Sequence, residues 1–130
     1  MSAGTVRELR LVVTTEDFEE SVRVYRDVLG MPELDAISSA HGRIVILDAG
    51  RATLEISDPG HAAYIDDLEV GRRVAGHIRV AFGVTDVDGA TKELAEAGAE
   101  LIAPPTPTPW GSRNSRLDGP AGLQLTLFEE

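Results

Sequence analysis

Arg10-Leu11-Val12-Val13-Thr14-Thr15-Glu16-Asp17 is answered 69 residues on by Arg79-Val80-Ala81-Phe82-Gly83-Val84-Thr85-Asp86, and the two stretches share one grammar. In the first, Leu9, Leu11 and Val13 alternate with Arg10, Val12 and Thr14, the period of a half-buried strand. Thr14 and Thr15 offer caps to the helix that follows, which places Phe18, Val22, Tyr25, Val28 and Leu29 on one face. Gly30 closes it where a left-handed residue is wanted. In the second copy the strand runs from His77 to Val84, the helix from Asp86 to Ala97, and Gly98 closes it. The closing glycines are 68 residues apart, so the second helix is shorter by one residue.

Working outward, each helix is followed by three short strands. In the first half they are predicted at about Glu33 to Ser38, Arg43 to Leu47 and Thr53 to Ser57, separated by His41-Gly42 and Asp48-Ala49-Gly50. In the second they fall at Glu100 to Ala103, Arg113 to Leu117 and Leu123 to Phe128. Strand, helix and three strands, twice over, predict an α+β fold of two βαβββ modules in a single domain spanning residues 1–130. Module 1 covers about 6–58, a linker about 59–75 and module 2 about 76–130. The prolines at 104, 105, 107 and 109 exclude a helix or central strand, so Pro104 through Trp110 reads as a semi-rigid loop.

A chain of 130 residues is long enough for one hydrophobic core. With no cysteine there is no disulfide framework, thiolate metal site or cysteine nucleophile. Met1 to Val6 carries no basic n-region followed by an apolar h-region, and no stretch has the length of a membrane span, so a cytoplasmic location is expected. The formal charge of −10 repels phosphate backbones and anionic bilayers, which argues against nucleic acid and membrane partners. No nucleophile elbow, phosphate loop or dinucleotide fingerprint is present: Val70-Gly71-Arg72 and Gly119-Pro120-Ala121-Gly122 lack the strand and helix context.

The segment Asp17 to Gly30 resembles the first helix of the vicinal oxygen chelate superfamily, which comprises glyoxalases, bleomycin resistance proteins and extradiol dioxygenases. Val84-Thr85-Asp86-Val87-Asp88, Ala97-Gly98, Pro109-Trp110-Gly111 and Asp118-Gly119-Pro120-Ala121-Gly122 carry the resemblance through the second half. It implies that each module curls into a half-open cup, that the cups share one small-molecule cavity, and that the protein is a homodimer. Metal-dependent members place ligands on the first and last strand of each half. Carried over, those positions are Arg10, Glu55, Arg79 and Thr126.

A guanidinium has no lone pair to give a divalent cation and repels it, so the expectation is no metal cofactor. A slip of two residues along each first strand would instead offer one divalent ion the set Glu8, Glu55 and His77. Strand parity turns Arg10 and Arg79 into the cups. Either arginine pairs with Glu55 as a buried salt bridge, or one stays available to grip a planar anion. Trp110 either stacks on a flat ligand or packs at the cavity edge. His41 reads as a hairpin turn residue, His61 as a surface residue, and Tyr64, Asp66 and Asp67 as a solvated or interface segment.

Two functions follow. The first is metal-independent binding or sequestration of a small molecule, similar to the superfamily's drug-resistance members. The second is an enzyme of that superfamily, a lyase, isomerase or dioxygenase, either metal-dependent or using Glu55 as acid and base.

Overall fold

The computed structural model describes residues 5–119 and 122–130. The reading of Met1 to Val6 therefore lies mostly outside the described residues, as do Pro120 and Ala121 of the Asp118 to Gly122 signature. The first half runs β1 (Val6–Thr14), α1 (Phe18–Val22) with a π-helical continuation (Arg23–Val28), β2 (Glu33–Ser39), β3 (Gly42–Asp48) and β4 (Thr53–Ser57). A helix, α2 (Pro59–Glu69), then leads to β5 (Ile78–Val84), α3 (Val87–Glu96), β6 (Glu100–Pro107), β7 (Arg113–Asp118) and β8 (Gln124–Glu129).

The strands form one eight-stranded sheet in the order β2-β3-β4-β1-β5-β8-β7-β6, each module supplying four consecutive strands. The modules meet where β1 and β5 pair antiparallel, with Arg10 opposite Ala81 and Val12 opposite Arg79. On each side the first strand pairs parallel with its module's last, which sets Glu55 beside Val12 and Thr126 beside Ala81. The internal repeat in the sequence thus becomes an approximate two-fold relation about the β1/β5 seam.

The core is divided in the same way. Phe18 and Val22 of α1 pack on Val45, Leu47 and Ile56, while Val87 and Ala90 of α3 pack on Val84, Leu117 and Leu127. Each helix covers the convex face of its own four strands, which leaves the concave face to build the cavity. The expected helical stripe holds only for its first turn, because Val28 and Leu29 are 64% and 62% exposed and Tyr25 is also outside the core. After Val22 the backbone widens, with Leu29 N–H donating to Val24 C=O at 2.9 Å, a five-residue step. A π turn holds more residues than an α turn, so it absorbs the residue by which this helix exceeds α3 and rotates the stripe off the core. Gly30 and Gly98, at φ +77° and +113°, close the two helical segments as expected.

Two predicted loops are regular structure. The linker holds α2: Asp58 caps it by accepting from His61 N–H at 2.9 Å, and Pro59 takes a first-turn position where its missing N–H costs nothing. Asp66, expected in a solvated or interface segment, is 1% exposed. The proline run contributes to β6, whose register with β7 is interrupted between Leu101, Ala103 and Thr106. An edge strand tolerates residues that cannot donate to a ladder, which is why prolines are accommodated here and not further in.

Candidate functional site

The concave face encloses a cavity of about 620 Å³, within the range of sites that take drug-sized ligands. Arg10, Glu55, Arg79, Trp110 and Thr126 all line it. Strand alternation explains the convergence: Glu8, Arg10, Val12 and Thr14 point in from β1, and Arg79 and Ala81 from β5.

The two arginines have different surroundings. Arg10 Nε donates to Glu8 Oε2 at 2.9 Å and Nη2 to Glu130 Oε1 at 3.3 Å, while the guanidinium lies 4.2 Å from the centroid of the Phe128 ring. Burial works against its charge, but the Glu8 hydrogen bond and the fields of Glu55, Glu8 and Glu130 outweigh it and raise its pKa. Among the described residues Arg79 makes one side-chain hydrogen bond, Nη1 donating to Thr126 Oγ1 at 2.7 Å. Burial pushes its pKa down and Arg116 adds to the effect, opposed by Glu69, Glu55 and Asp66 at longer range.

Glu55 is the buried carboxyl between them. The expected pair with arginine is loose: Arg10 Nε is 3.9 Å from Glu55 Oε2, beyond hydrogen-bonding distance, because Arg10 turns to Glu8. Burial raises the Glu55 pKa, partly offset by Arg10 and Arg79 and reinforced by Glu8 and Glu130. The residue combines the features of a group tuned for proton transfer: burial, a raised pKa and a position on a cavity wall.

The alternative metal set is not assembled. In the antiparallel β1/β5 pair Glu8 is opposite Gly83, whereas His77 precedes β5 and places Nδ1 2.8 Å from Thr14 O at the other end of β1. Sliding both halves by two residues moves their ligands in opposite directions, so Glu8 and His77 diverge. Among the described residues no three or more His, Cys, Asp or Glu side chains are grouped to hold a metal. The donor chemistry of the superfamily's four positions does not fit a divalent cation either, since two are guanidinium groups.

Several site residues escaped the sequence reading. Arg116, fully buried on β7, donates to Asp66 Oδ1 at 2.7 Å, Glu69 Oε1 at 2.8 Å and Gln124 Oε1 at 2.9 Å. Asn114 Nδ2 holds the other Glu69 oxygen at 2.9 Å. This network ties α2 to the second module, and Glu69 and Asn114 present part of it to the cavity. The local signal was Asp58-Pro59, a capping residue followed by proline, which marks a helix start as well as a turn. His41 lies in the β2–β3 turn as expected and also borders the cavity, as do His61 and Tyr64 from α2.

A sheet of two fused four-stranded cups, with α1 and α3 on its convex face and one ligand-sized cavity bordered by α2 on the other, defines a paired-module fold. The chain belongs to the Glyoxalase/Bleomycin resistance protein/Dioxygenase superfamily, whose family model matches residues 9–127. It is 31% identical over 99 residues to an uncharacterized protein of Mycolicibacterium smegmatis, covering 75% of this chain and 73% of that one. A hypothetical protein from Bacillus halodurans C-125 shares the fold with a TM-score of 0.70 at 17% identity, covering 99% of this chain and 96% of the other. Methylmalonyl-CoA epimerase from Mycobacterium tuberculosis follows with a TM-score of 0.69 at 18% identity, covering 99% and 90%. Among the described residues no helix is long and apolar enough to cross a membrane.

Proposed function

We propose that the protein binds a small anionic, drug-sized molecule without a metal ion, and that Arg79 is the group that grips it. The observation behind this reading is the contrast between the arginines: Arg10 is held by Glu8 and Glu130, whereas Arg79 spends one donor on Thr126. A guanidinium carries five N–H donors, so Arg79 keeps enough for a bidentate carboxylate. An arriving anion would also relieve the burial and the like charge of Arg116 that Arg79 bears.

The test is isothermal calorimetry with carboxylates and their matched amides against wild type and Arg79→Met. A charged hydrogen bond contributes about 1.5–3 kcal/mol, so the substitution should weaken carboxylate binding roughly ten- to a hundredfold. Amides binding as well as acids, or an unaffected Arg79→Met, would overturn the reading.

Glu55 favours a second reading, an enzyme in which it carries a proton to or from a carbon next to the bound anion. Its carboxyl is buried, raised in pKa and receives no hydrogen bond from the described residues. One protein sharing the fold is by name an epimerase. Deuterium exchange at the carbon beside a bound carboxylate, in D2O and lost in Glu55→Gln, would move the conclusion to catalysis.

A further inference from the structure

We propose that the acid gripped by Arg79 is an amino acid or an amino-acid-like zwitterion, whose ammonium group is received by Glu55. This rests on the anion-binding reading and adds a second charged group to the same ligand. The sheet register carries the geometry. Glu55 on β4 is opposite Val12 on β1, and Val12 is opposite Arg79 on β5, so the three occupy one row across the seam. All three line the cavity, and at about 4.8 Å per strand the Cα atoms of Glu55 and Arg79 are roughly 10 Å apart. Val12 between them has no polar side-chain atom to join the two charges. The charged side chains do not meet either. Arg79 reaches across to β8, donating to Thr126 Oγ1 at 2.7 Å, and among the described residues Glu55 has no cationic group nearer than Arg10 Nε at 3.9 Å.

Glu55 also lies at an acidic end of the cavity. It is 8% exposed, lines the cavity and accepts no hydrogen bond from the described residues. Glu8 and Glu130 border the same cavity and hold Arg10 at 2.9 Å and 3.3 Å, so three carboxylates share one guanidinium. A buried carboxylate without a donor is costly, and burial raises the Glu55 pKa, with Glu8 and Glu130 adding to it against Arg10 and Arg79. An ammonium group brings three N–H donors and a positive charge, the two things this carboxyl lacks. A plain carboxylate ligand leaves Glu55 as it is and sets another negative charge beside it. The cavity thus presents a cation and an anion on either side of an apolar floor, the complement of a zwitterion. Ile44 and Ile46 from β3 and Ile65 from α2 give apolar wall to the body of the ligand.

The experiment titrates 2-aminooctanoate, 2-hydroxyoctanoate and 2-aminooctanamide into wild type, Glu55→Gln and Arg79→Met by calorimetry at neutral pH. The probes share one body and carry both charges, the carboxylate alone or the ammonium alone. The expected result is that 2-aminooctanoate binds tightest, about tenfold better than either singly charged probe. Glu55→Gln should bring the amino acid down to the hydroxy acid, and Arg79→Met should bring it down to the amide. The wild-type comparison needs no variant, so it tests the idea even if Glu55→Gln fails to fold. If the hydroxy acid binds as well as the amino acid and both weaken in Arg79→Met, the ammonium site is wrong and the anion grip stands. If Arg79→Met leaves both acids untouched, the anion grip itself is wrong and the zwitterion falls with it. Failure of the amino acid to bind at millimolar concentration overturns the zwitterion.

Discussion

Glu55 and Arg116 are both buried charges, and their surroundings assign them opposite roles. Arg116 places Nη1 and Nη2 on Asp66, Glu69 and Gln124, with Nε unpartnered among the described residues, so Arg116→Met removes the cation from two buried carboxylates and should cost about 3–5 kcal/mol, read as a lowered urea midpoint. Glu55 has no such partner, and Glu55→Gln at neutral pH should cost far less than that. Its pH dependence carries the sharper prediction. A carboxyl whose pKa is raised on folding binds its proton more tightly in the folded chain than in the unfolded one. Wild type therefore holds an extra contribution at low pH, and loses it as pH rises from the ordinary value of 4.5 through the raised one. Relative to Glu55→Gln, wild type should lose stability across that window, measured by urea midpoints from about pH 4 to about pH 8. Parallel profiles for the two proteins would mean that Glu55 titrates as an exposed carboxylate.

At the scale of elements, α2 decides the shape of the cavity, and one glycine decides where α2 lies. Gly42 has φ +110°, and a Cβ built there would come within 2.3 Å of His61 N in the first turn of the helix. Both the left-handed backbone and the close approach require glycine. Gly42→Ala should lose about 1–3 kcal/mol from strain alone, more with the clash, in a urea titration. Because α2 carries Tyr64 and Glu69, the same substitution should weaken ligand binding, whereas an equally destabilising change behind α3 should not. Alternation in β1 and β5 and the glycines that close both helices were legible as patterns because the residues that set them are neighbours in the chain, whereas the caps expected from Thr14 and Thr15 are not formed: Asp17 holds the cap position of α1 and makes no side-chain cap bond. The π turn after Val22 was visible only as one surplus residue between the copies, since where a helix stores an insertion depends on what packs beneath it.

For the whole molecule, the antiparallel β1/β5 seam brings Arg10 and Arg79 to one cavity, and neither guanidinium has a lone pair to offer a metal ion. Purified without chelator and dialysed, the protein should carry well under one equivalent of Zn, Fe, Ni or Mn by elemental analysis. A stoichiometric ion surviving dialysis would overturn the metal-independent reading. The homodimer implied by the family resemblance predicts a light-scattering mass twice that of the 13.9 kDa chain, and a monomeric mass would refute it.

The sequence by itself determined the two-module architecture, because strand period, helical spacing and closing glycines are local properties that repeat along the chain. It also determined which faces of β1 and β5 turn inward, and the family resemblance then singled out Arg10, Glu55, Arg79 and Thr126 as candidates before any contact was known. Only the tertiary structure decided what each of them touches. Arg10 finds Glu8 two residues away but also Glu130 at the far end of the chain, which leaves Arg79 as the freer cation. Arg116 lies 50 residues from Asp66 and 47 from Glu69, and the three become one buried network when α2 docks on the second module. The partners of a charge depend on long-range packing, which no local period encodes, and in this protein those partners separate an arginine held by two carboxylates from one with donors to spare.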